Sequence, residues 1–252
     1  MASGQLEVNV RGGVAWVTLR RPDKLNSLST GLLDSLRSTL LTLCQSPEPR
    51  LVAITGEGRF FSAGVDLEEV AAAGSPEEAA RPFRALRLAI EAILNCSRPV
   101  VALLNGPAVA GGAELALAAD AAYAVEGAWL QWPELAWGLI PPVLSSIAGS
   151  LGPGLASRLI VAMERLPAGE AASAGLLAGV YPTLEEARGA VEGLAAGLGQ
   201  ASPEAVEAAL EAVRVAKRGA LPLAERLEAL AASPELVERA RRFLESRGRG
   251  RR

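Results

Sequence analysis

Length, composition and charge already exclude several classes of function. The chain has 252 residues, of which 50% are hydrophobic and 21% charged, a composition typical of a globular protein. Its 25 basic and 28 acidic residues give a net charge of −3, so it lacks the broad positive surface that general nucleic-acid binding requires. Histidine is missing altogether, which excludes Ser-His-Asp and Cys-His hydrolases, histidine acid–base chemistry and most zinc sites.

The cysteines and the longest uncharged stretch bear on compartment and membrane. Cys44 and Cys96 are too few for a disulfide framework or a cysteine zinc site, so we expect reduced thiols in a cytoplasmic protein. The first ten residues lack the basic start and apolar run of a signal peptide. Residues 135–157 carry no charge and are long enough to cross a bilayer. Because glycines and prolines interrupt them, we expect a buried loop and helix there and no membrane partner.

The chain begins with a predicted hairpin, a helix and a buried strand. Residues 6–10 and 14–19 flank a Gly-Gly pair and predict two antiparallel strands. Ser29 is a suitable N-cap for a helix whose leucines follow at helical spacing. Residues 51–55 are apolar and end at a glycine, which predicts a buried strand.

The middle of the chain continues the alternation of helices and strands. Asp66 and Ser75 each suit an N-cap, and Ser75 is followed by proline and glutamate in the order typical of a helix start. Residues 100–104 predict a second buried strand, residues 113–119 a helix and residues 121–125 a third strand. The alternation predicts an α/β fold with crossover connections.

The composition changes near Gly189, after which alanine, glutamate, leucine and arginine dominate and strand signals vanish. We therefore divide the chain into an α/β core (residues 1–188), a C-terminal helical segment (189–246) and a basic tail expected to be disordered (247–252). Three leucines of the helical segment recur at helical spacing and predict an apolar stripe for subunit contacts: Leu223, Leu227 and Leu230.

Two glycine-rich loops carry the strongest chemical signal. Residues 61–66 (FSAGVD) follow one buried strand and residues 110–114 (AGGAE) follow the next, and each loop enters a helix. Small residues let the backbone approach a ligand closely, and the first N–H groups of a helix have no partner inside it. Two such groups aimed at one point would bind a carbonyl oxygen that gains negative charge. The alternative is that glycine and alanine only permit close packing of helix and strand.

Two glutamates are candidates for acid–base chemistry. Glu114 is the one charge in the apolar run 113–119, and burial without a nearby cation raises the pKa of a carboxyl group. Its alternative role is a first-turn glutamate stabilised by the helix dipole. Glu134 lies within residues 129–137, which hold three of the four tryptophans, and an apolar wall has the same effect on pKa. Its alternative is an ordinary turn glutamate after proline.

These residues resemble the enoyl-CoA hydratase/isomerase (crotonase) family. Residues 60–67 (FFSAGVDL) are similar to its first signature and residues 105–115 (NGPAVAGGAEL) to its second, and the resemblance extends from Leu6 to Phe243. It implies an α/β fold of the crotonase type, a spiral of ββα units with a C-terminal helical segment. It also implies assembly through that segment into homotrimers, often paired into hexamers.

The resemblance implies a site as well. The backbone N–H groups of Val65 and Gly111 would form an oxyanion hole, and Glu114 and Glu134 would hold the water that adds to the α,β double bond. Coenzyme A would belong to the substrate, so no separate cofactor and no metal is expected. The residues at the family's CoA-contacting positions are Lys24, Ala63, Val65, Asp66, Leu67, Gly111 and Phe243, the last reaching the CoA site of a neighbouring subunit.

The chain departs from the family pattern at three places. Ala110 stands where the family has the first of three glycines, and Ser246 replaces a usual lysine, for which Arg247 is a possible substitute. Residues 138–146 resemble members that act on branched or carboxylated acyl groups. We predict an enoyl-CoA hydratase, with a different reaction of the same family, such as isomerisation through one carboxylate, as the nearest alternative. A catalytically silent scaffold or RNA-binding relative is a second alternative, against which the glutamate pair and the acidic pI argue.

Overall fold

The computed structural model describes residues 4–249 and contains two β-sheets. The larger sheet has the strand order β1-β2-β3-β4-β6-β9, in which β1 is antiparallel to β2 and the remaining neighbours are parallel. In the smaller sheet β7 pairs in parallel with β5 and antiparallel with β8. The nine strands of the described residues are β1 (Leu6–Arg11), β2 (Val14–Leu19), β3 (Leu51–Gly56), β4 (Val100–Leu104), β5 (Ala108–Val109), β6 (Ala121–Val125), β7 (Trp129–Gln131), β8 (Leu166–Pro167) and β9 (Gly179–Tyr181).

Helices connect the strands, and from Leu184 to Arg249 the described chain consists of helices joined by short links. The described α-helices are α1 (Thr30–Gln45), α2 (Leu67–Ala72), α3 (Pro76–Leu94), α4 (Gly111–Ala118), α5 (Pro142–Ile147), α6 (Pro153–Ala156), α7 (Ala168–Ser173), α8 (Leu184–Leu198), α9 (Pro203–Arg218), α10 (Ala220–Ala231) and α11 (Pro234–Arg249). Single turns of tighter or wider helix lie at Pro22–Lys24, Glu134–Trp137, Ala148–Ser150 and Ser157–Val161. None of the described helices combines the length and hydrophobicity needed to cross a membrane.

The predicted helix starts are confirmed by their caps. The side chains of Ser29, Asp66 and Ser75 accept hydrogen bonds from the backbone N–H groups of the first turns of α1, α2 and α3. Each cap satisfies an N–H group that has no partner inside the helix. Strands β1 to β4 and β6 also lie where the sequence predicts them, and the hairpin pairs Leu6 with Leu19.

The larger sheet is covered on both faces, which explains its continuous apolar strands. On one face Val52 and Ile54 join the main core, which α1, α3 and α4 complete. On the other face Leu51 and Ala53 pack under α8, which covers Trp16 as well. Helix α8 begins at Leu184, so the composition change at Gly189 falls inside a helix that belongs to the sheet layer.

The helices after α8 pack on their own chain. Helix α10 lies against α3 and α5, and α11 lies against α2. Leu227 is only 4% exposed, and Leu223 and Leu230 are half-buried, so the expected stripe faces the interior of the same subunit. The expectation of a fully exposed stripe is therefore wrong at Leu227, because leucines at helical spacing fit an intramolecular groove equally well, and assembly through this segment stays a prediction. Helix α11 runs to Arg249, so the tail expected from residue 247 is helical at first, and 250–252 lie outside the described residues.

The two cysteines form a disulfide, so the prediction of reduced thiols is wrong. Cys44 lies in the last turn of α1 and Cys96 follows α3, and these helices pack against each other. Their Cα atoms are 5.2 Å apart, within the range a disulfide bridges. The two cysteines are 52 positions apart and gave no sequence signal, because the pairing depends on how two helices end in space.

Candidate active site

The two glycine-rich loops meet at the carboxyl ends of β3 and β4. The smaller sheet joins them: Ser62 bridges to Ala108 in parallel, and the Val109 N–H donates to the Ser62 carbonyl at 2.9 Å. Gly112 requires its lack of a side chain, because a Cβ there would lie 2.7 Å from the Ser62 carbonyl oxygen. The glycines therefore serve close packing, as the alternative interpretation held, and that packing brings both loops to one place.

Val65 points its backbone N–H toward the contact between the two loops. The Leu28 N–H donates to the Gly64 carbonyl, and the Asp66 N–H donates to the Leu28 carbonyl. In a parallel bridge of this kind, the residue between the two bonded groups points its own N–H the opposite way. The Val65 N–H has no acceptor within residues 4–249.

Gly111 contributes the second N–H group. It is the first residue of α4, where an N–H has no partner inside the helix, and it also lacks an acceptor among the described residues. A Cβ on Gly111 would lie 3.5 Å from Val65 Cγ2, and a Cβ on Gly64 would lie 3.3 Å from the Gly111 nitrogen. The two free N–H groups are thus neighbours across the contact of the loops, the arrangement an oxyanion hole needs.

Ala110 holds α4 in place with a strained backbone. Its φ of 48° and ψ of −126° belong to a region that glycine occupies readily and alanine avoids. Hydrogen bonds fix it on both sides: its N–H donates to the Gln131 carbonyl, and its carbonyl accepts from the Glu114 N–H. The surrounding structure imposes a glycine conformation on an alanine directly before Gly111.

Glu114 is buried in the first turn of α4. Only 1% of the residue is exposed, and its carboxylate accepts from the N–H groups of Val143, at 2.5 Å, and Leu144, at 3.3 Å, at the start of α5. The Trp132 indole N–H is near enough to lower its pKa slightly but lies outside hydrogen-bond geometry. Burial outweighs all these donors and raises the pKa of Glu114 to about 7.

Glu134 faces Glu114 from the turn after Pro133. It is 5% exposed, and its Oε2 is a buried acceptor without a partner in the described residues. Burial raises the pKa of Glu134 well above its usual value, and the charge of Glu114 raises it further. Because both pKa values are raised and the two carboxyls interact, one can be ionised and accept a proton while the other is protonated and donates one.

Three of the seven expected CoA-contacting residues lie in the first loop and Leu67 directly follows it, and some of them have structural partners. Asp66 caps α2 and forms a 2.8 Å ion pair with Arg21. Ala63 donates its N–H to the Leu25 carbonyl, and Leu67 is the first residue of α2. Lys24 is exposed and forms an ion pair with Glu68 at 2.7 Å, next to this loop.

Phe243 lies in α11, apart from the loops. Its ring meets Trp137 of the same chain edge-on with centroids 5.4 Å apart, and the Arg247 guanidinium lies 4.9 Å from the Phe243 ring centre. Within this chain Phe243 therefore contacts the turn that carries Glu134, and its reach to the CoA site of a neighbouring subunit stays a prediction.

Sequence reasoning missed Asn26 and the backbone of α5. The Asn26 amide donates to the carbonyls of Glu57 and Phe60 and accepts from the Arg21 N–H, so it braces the first loop from inside. The available signal for this role was the asparagine at the end of residues 21–26, because an Asn side chain can both donate to and accept from backbone groups. The N–H groups that hold Glu114 follow a Pro-Pro pair, which marks a helix start.

Comparison with known proteins gives a consistent assignment. Residues 9–239 match the family model described as enoyl-CoA hydratase/isomerase. The chain is 33% identical over 220 residues to 2,3-dehydroadipyl-CoA hydratase of Escherichia coli (strain K12), covering 86% of this chain and 84% of that protein. It is 28% identical to the peroxisomal Delta(3,5)-Delta(2,4)-dienoyl-CoA isomerase of Arabidopsis thaliana, covering 79% and 76%. An enoyl-CoA hydratase structure from Mycobacterium avium subsp. paratuberculosis K-10 superposes with a TM-score of 0.80 at 29% identity, covering 94% and 98%.

Proposed function

The chain belongs to the enoyl-CoA hydratase/isomerase family, and we propose that this member is a hydratase that adds water across the α,β double bond of an enoyl-CoA. The observation that carries the proposal is the pair of buried glutamates beside two unpartnered N–H groups. Both hydratases and an isomerase are among its relatives. Hydration is expected to use two carboxyls and isomerisation one, so the number of carboxyls that take part in the reaction distinguishes them.

In the proposed mechanism the thioester oxygen accepts hydrogen bonds from the N–H groups of Val65 and Gly111. These bonds stabilise the negative charge that develops on the oxygen when water attacks the β-carbon. One of Glu114 and Glu134 removes a proton from water, and the other delivers a proton to the α-carbon. The buried Oε2 of Glu134 gains a partner when water or the product hydroxyl lies between the carboxyls.

The acyl group is proposed to be carboxylated or branched. Two observations support this: residues 138–146 depart from the glycine-rich segment of many hydratases, and one relative is named for a dicarboxylic substrate, 2,3-dehydroadipyl-CoA. The test compares kcat/KM for crotonyl-CoA with that for an enoyl-CoA bearing a terminal carboxylate. A preference for the unmodified straight chain contradicts this part of the proposal and leaves hydration itself standing.

Glu114→Gln and Glu134→Gln test the two-carboxylate mechanism. We expect each change to lower kcat for crotonyl-CoA hydration by about 10²- to 10⁴-fold, because each removes one proton-transfer group. Affinity for the saturated acyl-CoA should change little. The exposed Glu126→Gln is the matched control and should keep wild-type turnover. Full hydratase activity in Glu134→Gln excludes the mechanism, and isomerisation retained alone in that variant favours the isomerase alternative.

We also propose that the protein works in the cytoplasm on acyl-CoA. Disulfides are rare in reducing compartments, so the state of Cys44 and Cys96 in cells is the informative measurement. Rapid alkylation of Cys44 and Cys96 of this protein in a cytosolic fraction would show that the disulfide is open there, and supports the location. Recovery of the protein only outside that fraction contradicts it.

A further inference from the structure

A small cavity lies at the opposite end of α4 from Gly111. It has a volume of about 170 Å³ and lies between the end of α4, strand β6, the segment before β9 and helix α9. Leu117, Ile147 and Leu177 line it with apolar side chains, and Lys217 lines it as well. Exposed Gly175 leaves one side open to solvent.

Lys217 has an unusual environment for one of only two lysines in the chain. Its Nζ donates to the Ala119 carbonyl, directly after α4. Arg214, one turn earlier on α9, is 3% exposed and donates two hydrogen bonds of 2.6 Å to the Asp120 carboxylate. Asp120 also accepts from the Val100 N–H, so its charge is balanced without Lys217.

This environment shifts the Lys217 amine toward its neutral form. Burial lowers the pKa of Lys217, the Arg214 charge lowers it further, and the Asp120 charge opposes them only in part. A neutral amine that donates one hydrogen to the Ala119 carbonyl keeps its lone pair available for attack. Lys24 has the reverse setting, because it is exposed and its contact with Glu68 raises its pKa.

We propose that Lys217 is a modification site, where Nζ is acylated by short-chain acyl-CoA thioesters whose acyl group enters this cavity. The Nζ lone pair attacks the thioester carbonyl, an amide C–N bond forms and the C–S bond breaks. CoA leaves as a thiolate and takes up the proton that the nitrogen loses, so no oxidant or further reactant is required. The acyl donor is the substrate class of the family, and the proposal does not depend on hydration being the reaction.

The size of the cavity sets the range of acyl groups. Pockets that enclose whole ligands measure roughly 300–1,000 Å³, so 170 Å³ admits a short acyl chain and leaves CoA outside. Acetyl-CoA should therefore react at Lys217, whereas palmitoyl-CoA, whose chain exceeds the cavity, should not be favoured there.

The experiment uses the full chain and an internal comparison between its two lysines. Wild-type protein is incubated with acetyl-CoA at pH 8, and amide adducts are located by peptide mass spectrometry. We expect Lys217 to react severalfold faster than Lys24, since a lowered pKa raises the neutral fraction of the amine and the cavity holds the acyl group beside it. In urea-unfolded protein the ratio should fall to about one, because the environment that lowers the Lys217 pKa is then lost.

Two variants separate the cavity from general reactivity. Lys217→Arg should abolish the fast adduct, and Ile147→Phe, which fills the cavity, should slow acetylation of Lys217 without changing that of Lys24. Equal rates at the two lysines in folded wild-type protein overturn the proposal, as does equal reaction with palmitoyl-CoA. Both measurements use the wild type, so they decide the matter even if a variant fails to fold.

Discussion

At the scale of single residues, the glutamate pair should make the fold less stable as pH rises. Burial raises the folded-state pKa of both carboxyls, to about 7 for Glu114, whereas the pKa of a glutamate in the unfolded chain stays near its ordinary value of 4.5. The sign follows from linkage: the folded state binds more protons, so stability present below pH 4.5 is lost as pH rises toward 7. For Glu114 alone the loss amounts to about 3 kcal/mol.

Glu134→Gln should therefore be more stable than wild type at pH 8 and no more stable at pH 4.5. Urea unfolding of both proteins at the two pH values measures the difference. The control is Glu126→Gln, whose stability should follow wild type at both values. If the variant is no more stable than wild type at pH 8, then burial of the Glu114–Glu134 pair does not destabilise the folded state at that pH.

The oxyanion hole consists of backbone groups, so changes at Val65 and Gly111 should differ in kind. Val65→Ala removes packing but no donor and should keep activity within roughly tenfold. Gly111→Pro removes the N–H at a helix position that tolerates proline, and should cost on the order of 10²- to 10³-fold in kcat. Gly111→Ala is the matched control, because its added Cβ would meet the same Leu86 methyl at 2.9 Å yet the residue keeps its N–H.

Circular dichroism must show that Gly111→Pro folds before its rate is interpreted. A folded Gly111→Pro enzyme at the wild-type rate would mean that the two loops only pack closely and that the hole lies elsewhere.

Ala110 offers a stabilising substitution. Holding an alanine at φ 48° destabilises the fold by on the order of 1–3 kcal/mol, and glycine would remove this strain. The greater freedom of glycine in the unfolded chain would offset about 0.5–1 kcal/mol of that gain. Ala110→Gly should therefore raise the free energy of unfolding by about 1 kcal/mol. Ala116→Gly, in the interior of α4 with ordinary helical backbone, should lower it. Chemical denaturation that shows both variants destabilised alike would contradict the strain at Ala110.

At the scale of elements, the sequence predicted those whose signal is local. The cap residues Ser29, Asp66 and Ser75 and the apolar runs of β3 and β4 are read from neighbouring positions, and all lie where expected. Strands β5, β7, β8 and β9 have two or three residues each and exist only because distant segments meet, so no periodicity reveals them.

The same distinction applies to the candidate site. Its loops were predicted because glycine and a buried charge are visible in one segment. The amides of Val143 and Leu144 that hold Glu114, about thirty residues away, are backbone groups, so the Pro-Pro pair before them indicates a helix start but not its contact with Glu114. The disulfide and the inward-facing leucines of α10 escaped for a similar reason, since both depend on how helices pack.

The disulfide joins the ends of α1 and α3 and should add to stability. Closing a loop of 52 residues removes unfolded-state entropy worth about 4 kcal/mol, if chain entropy alone sets the effect. Reduction with dithiothreitol should lower Tm by about 8 °C, at about 2 °C per kcal/mol for a chain of this size. Cys44→Ser should show the lower Tm without reductant and no further change with it. An unchanged Tm on full reduction, verified by thiol titration, would contradict this.

At the scale of the whole molecule, we predict a homotrimer or a dimer of trimers assembled through the C-terminal helices. Because Leu227 of α10 is buried inside the subunit and Leu230 packs beside it, we expect the contact to use other residues of this segment. Helix α9 provides them: Val213 is 51% exposed and Val215 70% exposed, while only one edge of the helix meets the core. Exposed branched apolar side chains on one surface helix are typical of a subunit contact.

Light scattering should give three or six times the subunit mass of 26.0 kDa at micromolar concentration. Val215→Asp should lower that mass, because a ring of identical contacts repeats one buried charge at every interface. Val10→Asp is the matched control: Val10 is 50% exposed on the edge strand β1, outside the C-terminal helices, and its replacement should leave the mass unchanged. A wild-type monomer refutes assembly, and a trimer that both variants preserve moves the interface away from α9.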